Sequence, residues 1–125
     1  MPRRESLYHQ FPDYRVDLEP RPGRLRVEFA GKVIADSERA LVVKETHHSP
    51  VVYFPRQDVR FEHLEATDHE TFCPFKGEAS YWTLRVGDRV AENAVWSYEE
   101  PFEEVAGLTG FLAFYEGEVE WIEGS

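Results

Sequence analysis

Apolar and polar residues alternate along most of this chain with the two-residue period of a strand buried on one side. The alternation starts in Tyr14-Arg-Val-Asp-Leu-Glu. It returns from Arg24 to Phe29, with Leu25, Val27 and Phe29 on one face and Arg24, Arg26 and Glu28 on the other. Between these runs, Arg21-Pro22-Gly23-Arg24 has proline and glycine where a type II turn requires them. Gly31-Lys32 breaks the pattern, Val33-Ile34-Ala35 resumes it, and Asp36-Ser37-Glu38-Arg39 is turn or cap chemistry. Leu41-Val42-Val43 leads into a loop over residues 45–50, and Val51 to Phe54 is a strand ended by Pro55. Proline then stands at the first position of a helical turn in Pro55-Arg-Gln-Asp-Val, where its missing N–H costs nothing.

Arg60 to Glu65 alternates again, with a turn expected at Ala66-Thr67-Asp68. Glu78 to Val86 is the longest predicted strand. Gly87-Asp88 is a two-residue loop with glycine first, which predicts an antiparallel hairpin with Val90 to Tyr98. Pro101 to Ala106 predicts the one helix, with acids in its first turn and Gly107 as its stop. Gly110 to Tyr115 and Val119 to Ile122 suggest a last hairpin around Glu116-Gly117. About eight short strands, one short helix near 101–106 and no long amphipathic helix make an antiparallel all-β fold. Residues 1–13 read as an arm pinned by Phe11 and Pro12, and 14–125 as a single β domain.

At 125 residues the chain is long enough for one real core. Its net charge of -10 argues for solubility and against nucleic acid as a partner, which needs a basic footprint to displace counterions. The charge is uneven. From Val90 to the end there are nine acids and no Lys or Arg, whereas residues 1–30 hold six Arg against five acids. A solvated acidic face explains this, and a head-to-tail homodimer is the alternative. One cysteine excludes an internal disulfide. No apolar run suggests a signal sequence or a membrane span, so a cytoplasmic protein is expected.

Candidate chemistry centres on residues 69–82, His-Glu-Thr-Phe-Cys-Pro-Phe-Lys-Gly-Glu-Ala-Ser-Tyr-Trp. Cys73 would act as a nucleophile or redox thiol only as thiolate, and His69 or Lys76 would have to supply the base or the positive charge. Against this, Phe72, Pro74 and Phe75 flank the thiol, and a lysine usually keeps its ammonium in water. The expectation is therefore a buried, inert cysteine. Glu45, His47, His63, His69 and Cys73 are a ligand mixture that zinc or iron accepts, but none has metal-site spacing, so no metal is expected. Aromatics on separate strands would line a pocket, with polar groups at its rim. The candidate ligand-binding residues are Glu45, Tyr53, Arg56, Lys76, Glu78, Tyr81, Trp96 and Tyr115; Trp82, Trp121 and Tyr98 are further aromatics of the same kind.

Cofactor motifs are missing. There is no Gly-x-Gly-x-x-Gly, P-loop or Gly-x-Ser-x-Gly, and Gly107-x-x-Gly110 is a helix stop. A nucleotidyl transferase wants Gly-Ser followed by paired carboxylates, yet Gly-Ser occurs only at the C-terminus, and Asp17-Leu-Glu19 and Asp68-His-Glu70 have no such partner.

Six phrases taken in order carry a family resemblance: Phe29-Ala-Gly-Lys-Val-Ile-Ala-Asp-Ser, Ala40-Leu-Val-Val-Lys-Glu, Val52-Tyr-Phe-Pro-Arg-Gln-Asp-Val, Thr71-Phe-Cys-Pro-Phe-Lys-Gly-Glu-Ala-Ser-Tyr-Trp, Ala94-Val-Trp-Ser-Tyr and Ala113-Phe-Tyr. From about Arg24 to Ile122 the chain resembles the bacterial family known as domain of unknown function 427 (DUF427). The Thr-x-Cys-Pro-x-Lys-Gly element followed by Tyr is its most specific part. The resemblance implies a compact Mss4-like β-tent and no particular reaction. Many proteins of that fold hold zinc with two Cys-x-x-Cys pairs, which this chain lacks. Three function classes stay open: a module binding a small molecule or modified residue near 69–82, a Cys73-dependent enzyme, and a structural or interaction protein forming a homodimer.

Overall fold

The computed structural model describes residues 6–124; the first five residues of the expected arm lie outside the described residues. Among the described residues ten strands form three antiparallel sheets. The first sheet orders β1 (Val16–Pro20), β4 (Leu41–Glu45) and β5 (Val51–Tyr53). In the second, β2 (Leu25–Phe29) lies between β3 (Lys32–Ser37) and β10 (Glu120–Glu123). The third runs β6 (Leu64–Cys73), β7 (Gly77–Val86), β8 (Arg89–Ser97), β9 (Leu112–Phe114). Phe54 and Leu112 exchange both backbone hydrogen bonds, 2.7 and 2.9 Å, and so couple the first sheet to the third.

Two apolar clusters result. Val27, Ile34, Phe54, Leu84, Val95 and Leu112 belong to one, and Val43, Tyr53, Tyr81, Tyr98, Val105 and Leu108 to the other. β7 serves both, because its neighbours are bulged at the same level. Thr67-Asp68-His69 of β6 all lie opposite Tyr81, and Glu92-Asn93-Ala94 of β8 lie opposite Thr83. Extra residues of this kind bend a strand and sharpen its twist. Here Ala79 and Tyr81 pack in the second cluster, and Trp82 and Leu84 in the first. Thr67 Oγ1 donates to Asn93 Oδ1 at 2.6 Å, tying the two bulges together across β7, and Asn93 takes φ +52°.

The sequence is misleading in three places. Phe61–His63 is a short 3-10 turn rather than strand, and β6 runs on through the turn expected at residues 66–68. The bulge there absorbs the residues that read as a turn. Gly110 to Ile122 is not a hairpin. β9 pairs with β8, whereas a 3-10 turn at Glu116–Glu118 sends β10 across to β2. Trp121 can then lie against Phe54, ring centroids 6.2 Å apart, on the rim of the first cluster. The short helix falls at Glu103–Leu108 and is 3-10, broken by a non-helical φ of -126° at Val105. Short segments of this kind are 3-10's usual length. Among the described residues no helix is long and apolar enough to cross a membrane.

The Gly87-Asp88 hairpin forms as its sequence predicts, closing on the Val86–Arg89 pair with Gly87 at φ +58°. A Cβ there would meet nothing within 4 Å, so substitution is penalised by backbone conformation alone. Gly87→Val should therefore destabilise by more than ~1 kcal/mol, and Gly87→Asn, which tolerates positive φ, by clearly less. Equal urea midpoints for both variants and the parent would contradict this geometry.

Candidate functional site

Residues Pro74 to Lys76 form a three-residue connection between β6 and β7, closed by the Cys73–Gly77 pair. Each of its carbonyls is engaged. Leu7 N–H donates to Pro74 at 3.1 Å, the Tyr8 hydroxyl to Phe75 at 2.7 Å, and Phe102 N–H to Lys76 at 3.1 Å. Lys76 N–H donates back to Cys73 at 3.2 Å. Gly77, at φ +115°, sits so close to the backbone of Glu100 and Pro101 that a Cβ would lie 3.4 Å from Pro101 Cα. The Phe75 ring stacks on Tyr14 at 3.7 Å and meets Tyr8 and Phe11 edge-on, which fixes the described part of the arm against the loop. A loop held from both sides has little freedom in where it sends its side chains.

It sends Lys76 inward. The residue is only 7% exposed, and its ammonium forms an ion pair with Glu45 at the end of β4. This corrects the expectation of a solvated lysine. The Tyr14 hydroxyl donates to the same carboxylate, and His48 Nε2 lies 3.8 Å from it. Burial pushes the Glu45 carboxyl up, but the hydrogen bonds from Lys76 and Tyr14 and the Lys76 charge outweigh it and leave the group below its usual range. Burial, followed by the bond to Glu45, raises the Tyr14 phenol.

The pair stands at the base of a cavity of about 680 Å³. Tyr53, Tyr81 and Tyr98 are almost completely buried in its floor, while His48, Ser49 and Tyr115 are exposed at its rim. Trp96 forms part of the wall and donates from Nε1 to the Tyr53 hydroxyl at 3.1 Å; Tyr115 leans on the Trp96 ring at 4.8 Å. The Tyr81 hydroxyl is 2.9 Å from Thr71 Oγ1. The walls are therefore mainly aromatic, with hydroxyl, ammonium and carboxylate groups at defined points.

Six of the eight residues expected to bind a ligand are gathered here: Glu45, Tyr53, Lys76, Tyr81, Trp96 and Tyr115. Two are elsewhere. Arg56 pairs with Glu99 through two contacts of 3.0 and 3.1 Å and lies over the Phe61 ring. Glu78 is exposed on β7, opposite Phe72. Cys73 lines the cavity wall and is only partly buried, so the sealed cysteine expected from its flanking phenylalanines is not what forms. The groups expected to activate it are not aimed at it. His69 is exposed on the β6 bulge with its ring 4.5 Å from that of Tyr81, and the Lys76 ammonium is committed to Glu45. Among the described residues no three His, Cys, Asp or Glu side chains gather as metal ligands. Of the further aromatics, Tyr98 lines the cavity and Trp82 and Trp121 do not; Tyr14 and His48 also belong to it, and the sequence carries no local signal for these two, because strand pairing brings them there.

The depressed Glu45 carboxyl sets a pH dependence. A group lowered on folding contributes stability above its unfolded pKa and loses it as pH falls toward the folded value. The advantage of the parent over Glu45→Gln should be complete above about pH 5 and shrink below about pH 4. Urea denaturation across that range checks it; a difference independent of pH would contradict the pairing.

Comparison with known proteins places these features in one family. No curated protein matches the chain. A family model matches residues 17–124, which include every strand but the first residue of β1, the loop from Pro74 to Lys76 and the cavity residues from Val43 to Tyr115. The chain belongs to the family described as Domain of unknown function (DUF427).

Proposed function

We propose that this protein is a binding module that takes a small organic molecule into the cavity beside residues 69–82. The observation that carries this reading is the buried Lys76–Glu45 pair at the base of an aromatic cavity of about 680 Å³. A buried ion pair is weak as a stabiliser, since apolar residues of similar volume often do as well or better. Placed at the bottom of a concave aromatic surface, it supplies the few oriented polar groups that ligand sites use. The size of the cavity suits a metabolite or a single modified side chain.

The competing reading, an enzyme acting through Cys73, gains a cysteine that is only partly buried and loses its activators: His69 lies off the cavity, and Lys76 is spoken for. Cys73 is better used as a reporter. Iodoacetamide should label it in the folded protein, and His69→Ala should leave the rate unchanged. Metabolites found by thermal shift should slow that labelling by occupying the cavity; a ligand at a hundred times its Kd stabilises by about 2.7 kcal/mol. Hits that shift Tm yet leave Cys73 labelling untouched would place binding elsewhere and refute the proposal.

A further inference from the structure

Resting on that reading, we infer that the cavity takes an uncharged ring compound whose carbonyl oxygen accepts hydrogen bonds from the hydroxyls of Tyr98 and Tyr53. Tyr98 is only 7% exposed and lines the cavity, and its hydroxyl has no hydrogen-bond partner among the described residues. The one fully sealed side-chain polar atom without a partner among those residues is Arg26 Nε. The Tyr98 hydroxyl therefore keeps a solvent-facing surface, and the cavity is what this residue lines. A hydroxyl facing the cavity can bond water there, and a ligand that displaces the water has to supply an acceptor in its place.

Tyr53 adds the second donor. Its oxygen accepts the Trp96 N–H, which leaves its own proton without an acceptor among the described residues. The two rings lie 6.5 Å apart, tilted by 37°. Burial raises both phenols above their ordinary range, so each keeps its proton and donates.

Charge then narrows the class. Lys76 and Glu45 already neutralise each other beside the tyrosines. A carboxylate or an ammonium would give up its hydration in a partly desolvated site whose two charges are already paired, with no free counter-ion to replace it. A neutral carbonyl avoids that cost. Trp96 and Tyr115 offer the aromatic surface for the ring.

The test uses benzamide, benzoate and benzylamine, which share a ring and differ in the group presented. Protection of Cys73 from iodoacetamide reads occupancy of the cavity, and titration at millimolar concentrations gives the affinities. Benzamide is expected to protect best. Tyr98→Phe removes only an unpartnered hydroxyl, so its Tm should equal or exceed that of the parent while benzamide binds about tenfold more weakly. Tyr53→Phe should weaken it by a similar factor. Better protection by benzoate or benzylamine would overturn the carbonyl assignment and leave the binding module intact. Unchanged benzamide affinity in Tyr98→Phe would overturn it as well, as would failure of benzamide to protect at all. Rejection of the binding module itself would come separately, from metabolite hits that never slow Cys73 labelling.

Discussion

The ion pair between Lys76 and Glu45 is the contact on which the site depends. It joins the end of β4 to the loop between β6 and β7, residues 31 positions apart, and thereby adds a second link between the first sheet and the third beside the Phe54–Leu112 bridge. Two opposite charges withdrawn from water tolerate little separation. Either partner alone would be a largely buried ion without its counter-charge, with only the cavity side open to water, which is unfavourable. The pair fixes the floor of the cavity, and the Tyr14 hydroxyl on the same carboxylate extends the constraint to the chain just before β1.

The backbone makes this placement possible. A lysine on an ordinary surface turn would extend its ammonium into water. Here the Pro74, Phe75 and Lys76 carbonyls are all taken, two by the arm and one by Phe102. Gly77 supplies the φ of +115° with which the loop enters β7, a backbone conformation that residues with a side chain rarely adopt. Phe75, buried among Tyr8, Phe11 and Tyr14, is the apolar counterpart of the pair: it anchors the loop outward while Lys76 reaches inward. The basic beginning and acidic end of the chain also meet within one molecule, as Arg21 with Glu123 at 3.1 Å shows.

Much of the fold is legible in the sequence because strand alternation and tight-turn chemistry are local. Leu25, Val27 and Phe29 are buried on one face as the pattern requires, and Gly87-Asp88 closes its hairpin. β6 and β10 are not legible for the opposite reason. A three-residue bulge looks like a turn, and the crossing of β10 to β2 is decided by where Trp121 can be buried. The site divides in the same way. Tyr53, Tyr81 and Trp96 are visible as aromatics on strands, but the direction of Lys76 depends on hydrogen bonds from residues 7, 8 and 102. The missing partner of the Tyr98 hydroxyl is a property of the assembled cavity that no window of sequence contains.

The most direct test of this account is a double-mutant cycle on the pair, with Lys76→Met, Glu45→Gln and both together measured by urea denaturation at pH 7. Each single variant should be destabilised, and the double variant should lose less than the sum of the two by at least ~1 kcal/mol, the signature of groups in direct contact. Additivity within about 0.5 kcal/mol would show that the charges are independent, and that the floor of the cavity is held by something else.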